Sequence, residues 1–306
     1  MTNSSHEPIA TTPTARPGAR TVAGVYRATT PHWVGDAFHV SSYFPRPGLS
    51  ASRTSPFLLM DYGPPREFAP SSHRRGVGWH PHRGFETVTL AWEGEVAHTD
   101  NAGHSGVIGP GDVQWMTAAG GILHQEYLSE AFSRQGGRMH MMQLWVNLPR
   151  KDKMSPPGYQ PITAAQIPTV QLADGAGSVR VVAGEFGDAR GPARTFTPLS
   201  LLDATLTAGG QLTVPLPAHH TAMAIVTRGH VSSDGKEARA GELLLFAGDG
   251  ARLELTAAED THLLVLTGEP IDEPIVQHGP FVMNSTEEIY QAMHDFNDGK
   301  FGSLPE

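Results

Sequence analysis

Two stretches of the chain, Trp79-His80-Pro81-His82-Arg83-Gly84-Phe85-Glu86 and Gly120-Gly121-Ile122-Leu123-His124-Gln125-Glu126, indicate a metal site held on a sheet. In each stretch, two metal-ligating side chains stand two residues apart. Because the side chains of a strand alternate between its faces, each pair lies on one face if its stretch is extended. Pairing the two stretches would gather His80, His82, His124 and Glu126, which offer three imidazoles and one carboxylate.

The spacing of these pairs does not by itself establish a site. The chain has 16 histidines, and random placement at that frequency gives on the order of one His-x-His motif and one His-x-Glu motif. Turn residues strengthen the case, because Gly76 and Gly78 precede the first pair, Pro110-Gly111-Asp112 lies between the pairs, and Gly120-Gly121 precedes the second. A metal-holding β-barrel needs ligand pairs on strands separated by such turns.

The composition favours many short strands over long helices. Hydrophobic residues make up 39% of the chain and charged residues 17%, and the 34 glycines and 25 prolines form nearly a fifth of it. A composition so rich in turn residues is typical of an all-β protein. The length of 306 residues suggests two domains of roughly 150 residues each.

Charge and residue usage argue against several classes of function. A net charge of -9 disfavours binding to nucleic acid or to an anionic membrane, since both need a basic face. The lack of cysteine excludes disulfides, thiolate zinc sites, Fe–S clusters and cysteine nucleophiles. No run approaches the roughly 20 apolar residues of a membrane span, and residues 1–20 lack the apolar core of a signal peptide, so we expect a cytoplasmic protein.

Apolar and alternating runs between turn residues predict two series of strands. His80 and His82 are expected at the start or edge of a strand that continues through Leu90, because Pro81 cannot donate to a ladder. Ser285-Thr286-Glu287-Glu288 has the spacing of a capping box and predicts a helix over 286–296. The other strands are predicted at 22–26, 38–44, 56–62, 96–99, 113–116 and 138–148, and then at 178–182, 200–207, 211–216, 221–227, 242–246, 252–256 and 261–266.

The chain also contains an internal repeat. Glu93-Gly94-Glu95-Val96, followed by Pro110-Gly111-Asp112-Val113, has a counterpart in Arg228-Gly229-His230-Val231, followed by Ala240-Gly241-Glu242-Leu243. The repeat predicts two copies of one β-barrel. At these offsets the second copy places Pro215 and Pro217 opposite His80 and His82, and Glu254 and Thr256 opposite His124 and Glu126, so it is predicted to lack the site.

These observations divide the chain into four parts. Residues 1–20 form a disordered tail, 21–150 a metal-binding barrel, and 151–270 a second barrel without a metal site. Residues 271–306 form a C-terminal segment that carries the helix and packs back on the barrels. His140 is interpreted as a hydrogen-bonded strand residue near the site, and the adjacent His219 and His220 as surface or turn residues rather than ligands.

At this point the sequence resembles a known family. The runs 80–88, 111–126 and 279–284, supported by 55–61, are similar to the pirin family of the cupin superfamily, and the resemblance covers about residues 20–306. It implies an all-β fold of two tandem jelly-roll-like cupin barrels, called a bicupin, with a short C-terminal helix.

The resemblance also implies the ligands and the metal. One divalent ion would be held by His80, His82, His124 and Glu126, whereas Glu86 would be a structural or supporting carboxylate. Iron, as Fe(II), is the expected metal, and nickel, copper, manganese and zinc remain alternatives because the ligand types alone do not decide among them.

For function, the resemblance implies two alternatives that use the same site. The first is a quercetin 2,3-dioxygenase-like oxidoreductase, in which a flavonol and O₂ are the substrates and Glu126 accepts the proton of a flavonol hydroxyl. The second is a non-catalytic, metal-dependent and redox-sensing regulator that acts through a protein partner. Flavonol turnover with metal-dependent oxygen uptake would favour the enzyme, and metal-dependent binding of a partner without turnover would favour the regulator.

Overall fold

The computed structural model describes residues 18–304, and β-strands dominate its regular structure. The first part of the chain contains β1 (Val22–Arg27), β2 (His32–Val34), β3 (Phe38–Phe44), α1 (Ala51–Thr54), β4 (Phe57–Phe68), β5 (Gly76–His82), β6 (Phe85–Glu93), β7 (Val96–Asp100), β8 (Ser105–Ile108), β9 (Val113–Thr117), β10 (Ile122–Leu128), α2 (Glu130–Gln135), β11 (Gly137–Asn147) and β12 (Gly158–Ile162).

The second part follows the same pattern of short strands. It contains β13 (Thr169–Gln171), β14 (Gly177–Ala183), β15 (Glu185–Phe186), β16 (Ala189–Arg190), β17 (Leu199–Leu206), β18 (Gln211–Pro215), β19 (Thr221–Arg228), β20 (His230–Ser233), β21 (Lys236–Arg239), β22 (Glu242–Phe246), β23 (Arg252–Ala257), β24 (Thr261–Gly268), β25 (Val276–His278), β26 (Phe281–Met283) and α3 (Thr286–Asn297).

Four of the sheets form two matching pairs. One seven-stranded sheet has the order β12-β9-β6-β11-β4-β3-β2, and the other has the order β1-β22-β19-β24-β17-β14-β13. The four-stranded sheets have the orders β5-β10-β7-β8 and β18-β23-β20-β21. The orders correspond strand by strand, which confirms the predicted two copies of one jelly-roll-like fold. Below, the pair that contains β5 is called the first barrel, and the pair that contains β18 the second barrel.

The glycines of the repeat occupy equivalent turns in the two barrels. Gly94 and Gly229 have φ values of 80° and 83°, and Gly111 and Gly241 have φ values of 87° and 85°. Glycine adopts this left-handed region without the steric cost that a Cβ atom brings. The repeat was therefore visible in the sequence because the same tight turns recur in both barrels.

Each large sheet is completed by a strand from outside its own series. β1 pairs with β22 of the second barrel, and β12 pairs with β9 of the first. An unpaired sheet edge exposes backbone N–H and C=O groups, and these two strands cover the two equivalent edges. The ranges 21–150 and 151–270 remain a prediction of domain limits, but these two strands pair across them.

The predicted disordered tail falls mostly outside the described residues, and for residues 18–20 the prediction is wrong. Ala19 forms a β-bridge with Arg252, and only 1% of Arg20 is exposed. The Arg20 guanidinium donates to the carbonyls of Gly250, His220, Pro217 and Ala218 at 2.7–3.0 Å. A buried guanidinium with this many acceptors belongs to the folded structure.

The two large sheets pack against each other across a shared apolar core. Alternate residues of β6 and β19 belong to it, namely Val88 and Leu90 from one strand and Met223 and Ile225 from the other. The opposite faces of the sheets line the barrel interiors. In the second barrel that interior is a separate aliphatic cluster.

The helix prediction is confirmed, because α3 covers 286–297 and the Ser285 side chain accepts the N–H of Glu288 as a capping box requires. The strand β12, by contrast, was not predicted in the Pro/Gly-rich stretch where it lies. None of the helices within residues 18–304 has the length and apolar content that crossing a membrane requires.

Candidate metal centre

The two predicted ligand pairs lie on neighbouring antiparallel strands. His80 and His82 end β5, His124 and Glu126 lie on β10, and His124 pairs directly with His80. β5 is the edge strand of its sheet, as Pro81 requires.

The prediction that this strand continues through Leu90 is wrong. A turn intervenes before β6, with Gly84 at a φ of 90°, where a Cβ atom would lie 1.9 Å from the carbonyl oxygen of Val282.

His80, His82 and His124 converge at one end of the first barrel. Their ring centroids are 4.2–4.9 Å apart, and their ligating nitrogens lie within 4.8 Å of one another. His80 Nδ1–H donates to the carbonyl of Gly78 at 2.8 Å, which leaves its Nε2 available. Within the described residues, His82 Nδ1 and His124 Nε2 are buried and have no hydrogen-bond partner.

Burial keeps His82 and His124 neutral, which is the state that binds metals. Desolvation, reinforced by the neighbouring His80, holds the pKa of His82 well below its usual value. Desolvation, followed by the charges of His82, His80 and His98, does the same to the pKa of His124. Three neutral imidazoles, two of them with an unpartnered buried nitrogen, fit a divalent metal ion, which would supply the missing partner.

Glu126 is buried beside this cluster and is held by two amides. Gln114 Nε2 donates to one carboxylate oxygen at 2.6 Å, and Gln143 Nε2 donates to the other at 2.9 Å. The ligating atoms of Glu126 lie within 4.8 Å of those of His124 and His98. The structure therefore forms two groups that share His124, rather than one set of four within that distance.

His98 is a site residue that the sequence analysis missed. It lies on β7 opposite Glu126, and 1% of it is exposed. Its Nδ1 is 3.5 Å from His124 Nδ1, and its Nε2 is 3.2 Å from a carboxylate oxygen of Asp100. The ring of Tyr159 stacks on it at 4.7 Å. The spacing His98-x-Asp100, which starts in the predicted strand 96–99 and ends just after it, was the available signal.

Asp100 anchors this arrangement to the backbone. One of its oxygens accepts the N–H groups of Ala102 and His104, each at 2.9 Å. The other carboxylate oxygen accepts from His104 Nδ1 at 2.9 Å and faces His98 Nε2. With Asp100 as the acceptor, His98 carries its proton on Nε2 and leaves Nδ1 free to accept from His124 Nδ1. In that arrangement His124 Nε2 carries no proton and is available to a metal ion.

Glu86 and His140, which the sequence analysis considered near the site, have their hydrogen-bond partners outside the two groups of potential ligands. Glu86 lies outside both groups; it is 1% exposed and accepts the hydroxyl of Thr117 at 2.7 Å. Burial raises the pKa of Glu86 to about 7. His140 Nε2 is hydrogen-bonded to the Tyr62 hydroxyl at 3.0 Å, and its ring packs on Trp92, at the contact between the two barrels.

The C-terminal segment contacts the turn that follows His82. Arg83 forms a buried ion pair with Asp295 of α3 at 2.8 Å, and its guanidinium lies over the ring of Phe301. The backbone of Arg83 also hydrogen-bonds to that of Pro280 and of Val282. The last strands and helix therefore hold the end of the barrel where the candidate ligands lie.

The predicted counterparts of the ligands in the second barrel are wrong by one residue. Val96 and Val231 follow equivalent glycine turns, and they pair with Leu128 and Ala257. His124 lies four residues before Leu128 on β10, and Leu253 lies four residues before Ala257 on β23, so Leu253 occupies the position of His124. By the same count, Leu255 occupies the position of Glu126. The offset method failed because the segments that join the repeat motifs to the ligand strands differ in length by one residue: His124 follows Gly111 by 13 residues, whereas Leu253 follows Gly241 by 12.

The other two counterparts follow from strand pairing. Val214 pairs with Leu253 as His80 pairs with His124, so Val214 replaces His80 and Leu216 replaces His82. All four counterparts are buried and belong to the aliphatic interior of the second barrel. Both groups of potential metal ligands found within residues 18–304 lie in the first barrel.

The chain matches known proteins over most of its length. The family model described as Pirin covers residues 37–146, and that described as Pirin C-terminal cupin domain covers 201–302. A Pseudomonas aeruginosa protein named "Putative quercetin 2,3-dioxygenase" is 53% identical over 280 residues, which are 92% of this chain and 98% of that protein. Pirin of Mus musculus is 40% identical over 253 residues, or 81% of this chain and 83% of that protein.

Solved structures share the fold. The crystal structure of quercetin 2,3-dioxygenase from Acinetobacter baumannii has a TM-score of 0.90 and 46% identity, and the match covers 94% of this chain and 100% of that one. The bacterial pirin YhhW from Escherichia coli, solved in complex with nickel(II), has a TM-score of 0.60 and 21% identity, and the match covers 81% of this chain and 98% of that one. The latter likeness concerns the fold alone.

Proposed function

This chain belongs to the pirin family, and from that premise we propose that it is a mononuclear metal-dependent dioxygenase that opens a flavonol such as quercetin with O₂. The observation that carries the proposal is the convergence of three imidazoles, of which the two buried ones, His82 and His124, offer unpartnered nitrogens. The names of the Pseudomonas and Acinetobacter relatives support a flavonol as substrate.

We assign the metal to His80, His82, His124 and Glu126. Three neutral imidazoles and a carboxylate suit a borderline divalent ion; Fe(II) is our expected metal, and nickel, copper, manganese or zinc could use the same donors. A bound ion would orient the flavonol oxygen and O₂ and stabilise the charge that develops on them.

Glu126 is the residue that we expect to take the proton from the flavonol hydroxyl. Each carboxylate oxygen accepts one amide N–H, from Gln114 or from Gln143, and these two bonds fix the plane of the carboxylate. An ionised carboxylate has about four acceptor directions. The remaining directions allow the same group to face a metal and a substrate proton without leaving its amide partners.

An aromatic wall beside the ligands suits a planar substrate. The rings of Phe85 and Trp145 stack at 4.2 Å with an angle of 28° between their planes, and both lie within 5.3 Å of the His82 ring. Phe85 is fully buried, whereas Trp145 is partly exposed. Trp145 can therefore contact a flavonol that approaches the three histidines, and Phe85 supports it from behind.

The test is oxygen consumption by the full-length protein reconstituted anaerobically with Fe(II). We expect quercetin and O₂ to disappear together in the wild type and in His278→Ala, which removes an exposed histidine of β25. His124→Ala should abolish turnover. A metal-loaded protein that consumes no O₂ with any flavonol contradicts the proposal, and metal-dependent capture of a protein partner by that inactive protein would support the regulator instead.

A further inference from the structure

A cleft of about 840 Å³ opens at the second barrel. Its lining includes Leu216 and Thr267. Leu216 is the counterpart of His82, and strand pairing makes Thr267 the counterpart of Trp145. The cleft thus lies at the place in the second barrel that the candidate metal centre occupies in the first. Its volume falls within the range of small-molecule sites, roughly 300–1,000 Å³.

The cleft is lined by a buried histidine without a partner. Only 8% of His220 is exposed, and its Nδ1 is buried without a hydrogen-bond partner within residues 18–304. The neighbouring His219 is different, since 64% of its side chain is exposed. Both histidines lie in a turn, as the sequence predicted, but His220 is buried there and only His219 is on the surface. An unpartnered buried imidazole is unfavourable until a ligand supplies the missing bond.

The backbone around His220 is rigidly held. The Arg20 guanidinium donates to the carbonyl of His220 at 2.7 Å and to those of Pro217 and Ala218 at 2.8 Å. Because Arg20 is itself buried, these bonds fix the turn that carries His220 before any ligand arrives. A prepared position of this kind lowers the entropy cost of binding.

The lining of the cleft also carries positive charge. Among its lining residues, Arg190 has Glu185 as a partner at 3.9 Å, whereas the Arg194 side chain is exposed and has no acidic partner within the described part of the chain. The backbone of Arg194 is fixed, because its N–H and C=O both bond to the side-chain amide of Gln160 on β12, at 2.9 and 3.0 Å. An unpaired guanidinium on an acidic protein favours a carboxylate ligand.

Flat apolar groups also line the cleft. The Phe196 ring is 40% exposed, and Pro198, Pro215 and Pro217 also line the cleft. An exposed aromatic ring beside proline rings offers stacking surface for another aromatic ring.

We propose that the cleft of the second barrel binds a small hydroxylated aromatic carboxylate without a metal. Arg194 pairs with the carboxylate, Phe196 and the prolines contact the ring, and His220 hydrogen-bonds to the ring hydroxyl. This second site is independent of the proposed dioxygenase reaction and of its metal ligands.

The test is calorimetric titration of the full-length protein with 4-hydroxybenzoate. We expect one binding event per chain that persists after treatment with EDTA. His220→Leu and Arg194→Gln should each weaken binding by about tenfold, the effect of losing one hydrogen bond or charge pair to the ligand. The matched controls His219→Leu and Arg190→Gln should change the affinity by less than about twofold. Because Arg194 is exposed, its variant tests the site even if His220→Leu folds poorly.

Two further probes separate the parts of the site. 4-Hydroxybenzyl alcohol lacks the carboxylate and should bind the wild type and Arg194→Gln equally weakly. Benzoate lacks the ring hydroxyl and should bind the wild type and His220→Leu equally. No detectable binding of 4-hydroxybenzoate at 10 mM would overturn the proposal. So would binding that disappears in His124→Ala but survives in both cleft variants, because the acid would then occupy the first barrel.

Discussion

The two barrels share one sheet order but have opposite interiors. In the first barrel, His124 and Glu126 of β10 point inward, and the amides of Gln114 and Gln143 support the carboxylate. In the second barrel, the corresponding positions hold aliphatic residues throughout, and by register these are Leu253, Leu255, Leu244 and Val265. The same backbone is therefore compatible with a polar site or with a hydrocarbon core.

This difference separates the residues that make the fold from those that make the site. The glycine turns, the strand order and the apolar contact between the large sheets occur in both barrels. The inward imidazoles and their supporting groups occur in the first barrel only, among the residues that the structure describes. Substitutions at equivalent inward positions should thus affect metal binding in one barrel and stability in the other.

The largest effect is expected for His124→Ala. It removes a fully buried ligand that both groups of potential ligands share. We expect metal affinity to fall by more than about 100-fold, which exceeds the usual effect of removing a supporting residue around a metal. Competition with a chromophoric chelator measures the affinity. Unchanged affinity would show that the histidine cluster does not hold the metal.

The matched substitution in the second barrel is Leu253→Ala. Leu253 is fully buried in the aliphatic interior, so the change should leave a cavity and lower the free energy of unfolding by about 2–5 kcal/mol. Metal affinity should stay at the wild-type value. Urea unfolding combined with the chelator assay checks both statements. A loss of metal in this variant would break the assignment of the site to the first barrel.

A smaller effect on metal affinity is expected for Asp100→Asn. In this variant an NH₂ group replaces one of the two carboxylate oxygens. Where this NH₂ group faces His98 Nε2, the Nε2–H of His98 has no acceptor, and the tautomer of His98 that the carboxylate stabilises is no longer favoured. His124 would then be less well oriented, and metal affinity should fall by about 10–100-fold. Asp112→Asn is the matched control, because Asp112 also accepts two backbone N–H groups, from Gly109 and Ala164. Equal affinities of the two variants would contradict the role of Asp100.

The contact between the barrels offers another equivalent pair. By register, Tyr62 and His140 of the first barrel correspond to Asp203 and His262 of the second. The Tyr62 hydroxyl lies 3.0 Å from His140 Nε2, whereas His262 Nε2 lies 2.6 Å from a carboxylate oxygen of Asp203. One histidine has a neutral partner and the other an acidic one.

Acid should lower the stability of the protein through His140, the histidine with the neutral partner. Burial, followed by the charge of His262, lowers the pKa of His140 to about 4 from an unfolded value of 6.5. The unfolded chain therefore binds a proton at His140 before the folded chain does, and stability is lost as the pH falls from 6.5 towards 4. After allowance for solvent screening, we expect the wild type to lose about 1–2 kcal/mol more than His140→Gln over this range. Identical pH profiles of urea unfolding would rule out this contribution.

Local patterns explain what could be predicted from the sequence. Most of the predicted strands, the turns of the repeat and the helix at Ser285 depend on neighbours within a few residues, and these predictions are confirmed, whereas the limits of the strands around His82 and after Tyr62 are not. The pairing of His80 with His124 also followed, because turn glycines frame both ligand pairs.

The features that were missed depend on contacts between distant parts of the chain. The exchange of β1 and β12 between the large sheets has no local signal, since strand pairing is non-local. The counterparts of the ligands were wrong by one residue, and in a strand a shift of one residue exchanges the inner and outer faces. His98 was missed because its roles depend on strands that only the fold brings together.

The most direct test of the central claim is the metal content per chain, measured by mass spectrometry on protein purified without a metal-affinity tag and reconstituted with excess Fe(II). The account predicts one tightly bound ion in the wild type, one in Leu253→Ala and none in His124→Ala. Two ions per wild-type chain, or one ion retained by His124→Ala, would contradict a single metal centre in the first barrel.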